Sequence, residues 1–90
     1  SEVVVRYTLP AESAVELVVY NELGQGVRRL VEGHQGTGHH RVVWDGRDDT
    51  GRGLATGMYV VQLRAGELRS DASRPADLRF RQTRKVAFVK

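Results

Sequence analysis

Three carboxylates, those of Asp45, Asp48 and Asp49, lie within five consecutive residues. Carboxylate oxygens are the ligands that hard cations such as calcium prefer, so these residues are candidates for a metal site. A helix–loop–helix calcium loop needs an oxygen ligand at its third position and glycine at its sixth, where this chain has Arg47 and Thr50. The alternative is a tight turn whose carboxylates accept backbone N–H groups. We predict the turn, with no metal and no other cofactor.

Three histidines form a second cluster, at His34, His39 and His40. Neutral imidazole is a common ligand for zinc and copper. His39 and His40 are adjacent, however, and neighbouring residues of a strand point to opposite faces. Because nothing nearby has the spacing to complete the site, we predict exposed or half-buried loop histidines.

The usual signatures of an enzyme are missing. The glycine pairs Gly24-Gln25-Gly26 and Gly51-Arg52-Gly53 are not followed by a lysine and a helix, so they do not form a phosphate-binding loop. No serine has the glycine context of a nucleophile elbow. The sequence therefore predicts a domain without catalytic activity.

Positive charge is concentrated in the second half of the chain. The net charge is +3, and residues 46–90 carry ten Arg or Lys against five Asp or Glu. In the last segment, residues 79–90, cations are interspersed with apolar residues. A sheet that stacks nucleic-acid bases needs exposed aromatic rings beside its cations. An edge strand with solvated cations explains the pattern as well, and we predict that the chain binds no nucleic acid.

These residues must be positioned by strands, because the dominant pattern is an alternation of period two. In residues 15–19 the odd positions are all aliphatic, as in a strand with one buried face. Turn-forming Gly, Asn and Asp residues separate the runs. No window longer than ten residues shows the 3.6-residue period of a helix. The predicted strands are residues 2–9, 13–20, 26–31, 39–45, 58–65, 77–83 and 84–89.

Strands at this spacing predict an all-β protein, an antiparallel sandwich of about seven strands. Its ninety residues suffice for one domain, 1–90, and we expect a monomer. A polar loop is predicted at residues 67–76. We expect no membrane span, and the missing initiator methionine at Ser1 suggests a piece of a larger protein. The predicted core residues are Val5, Tyr7, Val15, Leu17, Val19, Leu30, Trp44, Tyr59, Val61, Leu63 and Phe88.

Several motifs, in this order and spacing, resemble a known family. They are Tyr7-Thr8-Leu9-Pro10, Val15-x-Leu17-x-Val19-Tyr20-Asn21-x-x-Gly24, Gly38-x-His40-x-Val42-Val43-Trp44-Asp45-Gly46-Arg47-Asp48-x-x-Gly51, Ala55-Thr56-Gly57-Met58-Tyr59-x-x-x-Leu63 and residues 83–90. The chain resembles the immunoglobulin-like domain of the flagellar hook-capping protein. It resembles still more closely the C-terminal sorting domains of the type IX (Por) secretion system.

The resemblance implies an immunoglobulin/fibronectin-III-like β-sandwich that forms the C-terminal module of a larger bacterial protein, exported through the periplasm to the cell surface or the medium. It implies sorting, with an outer-membrane translocon and a sortase as protein partners and a passenger domain on the N-terminal side. Arg84, Lys85 and Lys90 would then be the translocon-recognition residues. Two alternatives remain: a structural spacer or assembly domain of the hook-cap type, and a carbohydrate-binding accessory module, which would need exposed coplanar aromatic rings.

Overall fold

The computed structural model describes residues 2–66 and 78–90, and for Leu78 and Arg79 it describes the backbone alone. No helix occurs in these residues, which agrees with the all-β prediction. The strands are β1 (Val3–Leu9), β2 (Ser13–Tyr20), β3 (Gly26–Gln35), β4 (Gly38–Trp44), β5 (Gly57–Gly66) and β6 (Leu78–Phe88). Most strands follow the predicted runs, but β3 continues past its predicted end at residue 31, because Gly33 pairs with Val15 of β2 and does not form a turn.

The six strands form two antiparallel sheets of unequal width. In the part of the chain that the structure describes, one sheet has four strands in the order β3-β2-β5-β6, and the other consists of β1 and β4. Sandwiches of the immunoglobulin type have at least three strands in each sheet. The two-stranded sheet therefore covers only part of the four-stranded one, and β1 lies beside β6 along one side of the sandwich.

The described residues form six strands where seven were predicted, because the described parts of the predicted strands 77–83 and 84–89 belong to one strand, β6. Strand β6 runs without interruption through this boundary, where Thr83 pairs with Gln62 and Arg84 with Val61. Neither Thr83 nor Arg84 is a residue type that favours a reversal, and β5 is long enough to pair with the whole of β6. The loop predicted at 67–76 lies outside the described residues.

The core lies between the two sheets and contains the residues predicted from the alternation, together with Leu9 and Ala65, which were not predicted. All the predicted core side chains are buried except Leu30, which is partly buried and packs against the others. Trp44 is fully buried and meets the rings of Tyr59 and Phe88 at centroid distances of 5.1 and 5.3 Å. Large aromatic side chains contribute much of the burial in a small core, so this cluster docks the sheets together.

Candidate functional site

The carboxylates of Asp45 and Asp48 organise the turn that follows β4. One oxygen of Asp48 accepts the N–H groups of Thr50 and Arg52 and the Thr50 hydroxyl, at 2.9, 3.0 and 2.6 Å. Asp45 accepts the N–H of Arg47 at 3.1 Å. The hydrogen bond from the Thr50 hydroxyl is the main cause that lowers the pKa of Asp48 below its ordinary value. These oxygens therefore stabilise the backbone of the turn by accepting its N–H groups, which is the role predicted for the acidic cluster as an alternative to metal binding.

Asp49 performs a different task, at the outer edge of β3. Its Oδ1 accepts the N–H of Arg29 at 3.0 Å, and its own N–H donates to the carbonyl of Val27 at 3.0 Å. Asp45 adds a salt bridge of 3.1 Å to the Arg28 guanidinium. The turn thus pairs with the edge of β3 and joins the two sheets. Unpaired strand edges promote association with other chains, and this one is covered at its first residues.

The three histidines do not meet at one point. Thr8 Oγ1 and the exposed His39 Nδ1 are hydrogen-bonded at 2.9 Å, on the outer face of the two-stranded sheet. His40 faces inward, stacks on Tyr7 and donates from Nε2 to the carbonyl of Gly36 at 2.8 Å. His34 lies on β3 in the other sheet. Among the residues that the structure describes, no group of three His, Asp or Glu side chains could hold a metal ion.

The three residues expected to contact a translocon lie on different surfaces. Arg84 has the same orientation along β6 as the inward-facing Phe88, yet it is exposed because the narrow sheet does not cover it. Lys85, its neighbour, lies on the opposite face of β6. Lys90 follows the strand, and its N–H donates to Thr56 Oγ1 at 3.0 Å. The fold does not gather them into one patch, and their role in recognition stays a prediction.

A groove, which we call the sheet groove, lies on the outer face of the four-stranded sheet. Its volume is about 650 Å³. Met58 and Val60 of β5 and Tyr20 of β2 provide an apolar centre, and Glu22 and Lys85 provide opposite charges at the rim. Met58 is 46% exposed although it is a large apolar side chain. An exposed apolar centre with a polar rim is typical of a protein-binding surface.

A second depression, which we call the β1–β6 cleft, separates the β1–β4 pair from β6. Its volume is about 630 Å³, and three arginines line it, Arg6, Arg41 and Arg84. Among the described residues that line it there is no acidic side chain. Arg6 and Arg41 were not predicted as site residues, because single exposed arginines on strands are ordinary. Only the pairing of β1 with β4, which places Arg6 opposite Arg41, brings them together.

Comparison with known proteins gives a family match. The chain matches the family described as FlgD Ig-like domain over residues 1–68. No curated protein and no solved structure matches it. The resemblance to the hook-capping protein's domain is confirmed, whereas nothing in the comparisons supports the resemblance to type IX sorting domains. With its two antiparallel sheets and its match over most of the sequence, the chain belongs to the FlgD Ig-like domain family.

Proposed function

We propose that this chain is a non-catalytic, structural module through which a larger exported bacterial protein takes its place in a protein assembly. The match to the FlgD Ig-like domain carries the proposal, because domains of this family are typically non-catalytic and structural. The exposed apolar centre of the sheet groove supports it, since such a surface suits a protein partner. The described residues contain no helix that could cross a membrane.

The carbohydrate-binding alternative lacks the surface that it needs. Tyr7 and Tyr59 are 6% and 8% exposed, and Trp44 is fully buried. Tyr20 is only half-exposed. Within residues 2–66 and 78–90 these rings therefore do not form an exposed coplanar platform for a sugar. The sorting hypothesis has no support from the comparisons, and we treat it as a competing outcome of the test below.

The substitution Met58→Lys, made in the native protein in its own host, tests the assembly role. It places a charge at the centre of the sheet groove, so we expect the protein to sediment as free molecules instead of with its assembly. Val4→Lys is the matched control, because Val4 is similarly exposed, at 39%, on the other sheet. A Met58→Lys protein that stays in its assembly as well as the control would contradict the use of this groove.

A second measurement separates assembly from sorting. Residues 1–90 are fused to a periplasmic reporter in a host that has a type IX system. The assembly proposal expects the reporter to remain in the periplasm. Release of the reporter outside the cell would overturn the proposal in favour of sorting.

A further inference from the structure

The β1–β6 cleft combines an uncovered strand edge with a concentration of positive charge. Strand β1 pairs only with β4, so in the described part of the chain the backbone groups along its other edge have no strand partner. Among the described strands, β6 is likewise the last of its sheet. The edge of β3, in contrast, is paired in part by the turn at Asp49. An uncovered edge beside a narrow sheet is a template for one more strand.

The side chains around the cleft determine what kind of strand it suits. The guanidinium groups of Arg6, Arg41 and Arg84 are exposed, and no salt bridge between described residues involves them. The floor is apolar: a small void of about 20 Å³ under the cleft is lined by core side chains that include Val5, Leu17 and Leu63. Successive side chains of a strand point to opposite faces, so apolar residues could face the floor while acidic ones face the arginines.

We propose that the β1–β6 cleft binds an extended, acidic segment of a partner protein, which adds to the edge of β1 as an extra strand. The inference rests on one part of the proposed function, namely that the module acts by binding another protein. Backbone hydrogen bonds to β1 supply affinity for any extended chain. The three arginines select acidic side chains, because a guanidinium binds a carboxylate with charge-assisted hydrogen bonds.

A single-stranded nucleic acid is the competing ligand for a basic cleft with aromatic rings. Base stacking needs an accessible ring face. Tyr7 is 6% exposed and its ring is already stacked on His40, and Phe80 is only partly exposed. The rings thus contribute to the walls and do not present a stacking surface, which favours the peptide.

The experiment measures binding of a labelled peptide of alternating Val and Glu to the 90-residue chain by fluorescence anisotropy. We expect Arg84→Glu and Arg41→Glu each to weaken binding by about tenfold or more, because each variant replaces an attraction by a repulsion. Lys85→Glu is the matched control: it makes the same change of charge at the next residue, on the opposite face of β6. We expect it to change the affinity by less than about twofold, since solvent screens exposed charges that are not in contact.

Peptide variants test the mode of binding. Methylation of alternate backbone nitrogens removes donors needed for strand pairing and should abolish binding, and a peptide of alternating Val and Lys should not bind. Hydrogen exchange should slow at amides of β1 when the Val/Glu peptide is added. Equal losses in Arg84→Glu and Lys85→Glu, or full affinity of the methylated peptide, would overturn the proposal.

The test of the cleft can be separated from a nucleic-acid site and from the test of the sheet groove. If Arg84→Glu weakens binding of a thymidine oligonucleotide and leaves the Val/Glu peptide unaffected, the cleft is a nucleic-acid site and the proposal is wrong. Met58→Lys alters the sheet groove on another face and leaves the cleft intact. Loss of assembly in that variant and loss of peptide binding in Arg84→Glu therefore report on different statements.

Discussion

Gly46 lies at a position where the packing of the core leaves no room for a side chain. It follows Trp44 and Asp45, is buried, and has a φ of 78°, in the left-handed region that favours glycine. A Cβ at this position would overlap the ring of Phe88. The conformation lets the chain turn out of β4, and the missing side chain lets Phe88 reach Trp44.

We expect Gly46→Ala to lower the free energy of unfolding by about 3 kcal/mol, because backbone strain and steric overlap add. Gly51→Ala is the matched control. Gly51 has a φ of 89°, and a Cβ there meets nothing within 4 Å, so only the strain remains, at about 1 kcal/mol. Urea unfolding of both variants checks the difference. Equal losses would show that Phe88 does not restrict position 46.

At the scale of the strands, the basic C-terminal segment is one long edge strand. Its residues pair with β5 from Gly57 to Gly66, with a register shift only near the far end, between Ala65 and Gly66. Along an edge strand, alternate N–H groups point toward the neighbouring strand and toward solvent. In a continuous strand this alternation of N–H directions runs through every residue, whereas a turn between two strands would interrupt it.

Proline substitutions at Gln82 and Thr83 test the continuity of β6. Proline has no N–H, so it is tolerated on an edge strand only where the N–H faces solvent. We therefore expect one of Gln82→Pro and Thr83→Pro to cost about 2 kcal/mol more than the other in urea unfolding. If both variants are as stable as the parent chain, the strand is interrupted there, as the seven-strand prediction supposed.

At the scale of the whole molecule, stability depends on how the two sheets are held together. The aromatic cluster of Trp44, Tyr59 and Phe88 lies between them, and the turn at residues 45–54 links the end of β4 to β3. The Trp44 indole also belongs to this link, because its Nε1–H donates to the carbonyl of Arg47 at 3.0 Å. A domain of this size has only a small margin of stability.

We expect Trp44→Leu to lower the free energy of unfolding by about 3 kcal/mol, through the cavity that it leaves in the core. Trp44→Phe keeps an aromatic ring and loses the hydrogen bond to Arg47, so its cost should be smaller, about 1–2 kcal/mol. Circular dichroism should follow both transitions, because each variant lacks the protein's single tryptophan. If Trp44→Leu were as stable as the parent chain, the sheets would not depend on this cluster.

The local pattern of residues was sufficient to predict β1, β2, β4 and β5, the buried faces of the strands and the structural use of the acidic turn, but not the continuity of β6 or the full length of β3. Alternation of period two indicates which face of a strand is buried, and this alternation is a property of neighbouring residues. For that reason the buried positions from Val5 to Phe88 could be predicted, and so could the opposite orientations of His39 and His40.

Only the tertiary structure decided which strands pair, how wide each sheet is and which charges share a surface. Those features depend on contacts between residues far apart in the chain, about which local periodicity contains no information. Arg6, Arg41 and Arg84 come from three strands and meet because the two-stranded sheet leaves β6 uncovered. The β1–β6 cleft is therefore a property of the fold, while β1 and β4, which form one of its sides, are already evident in the sequence.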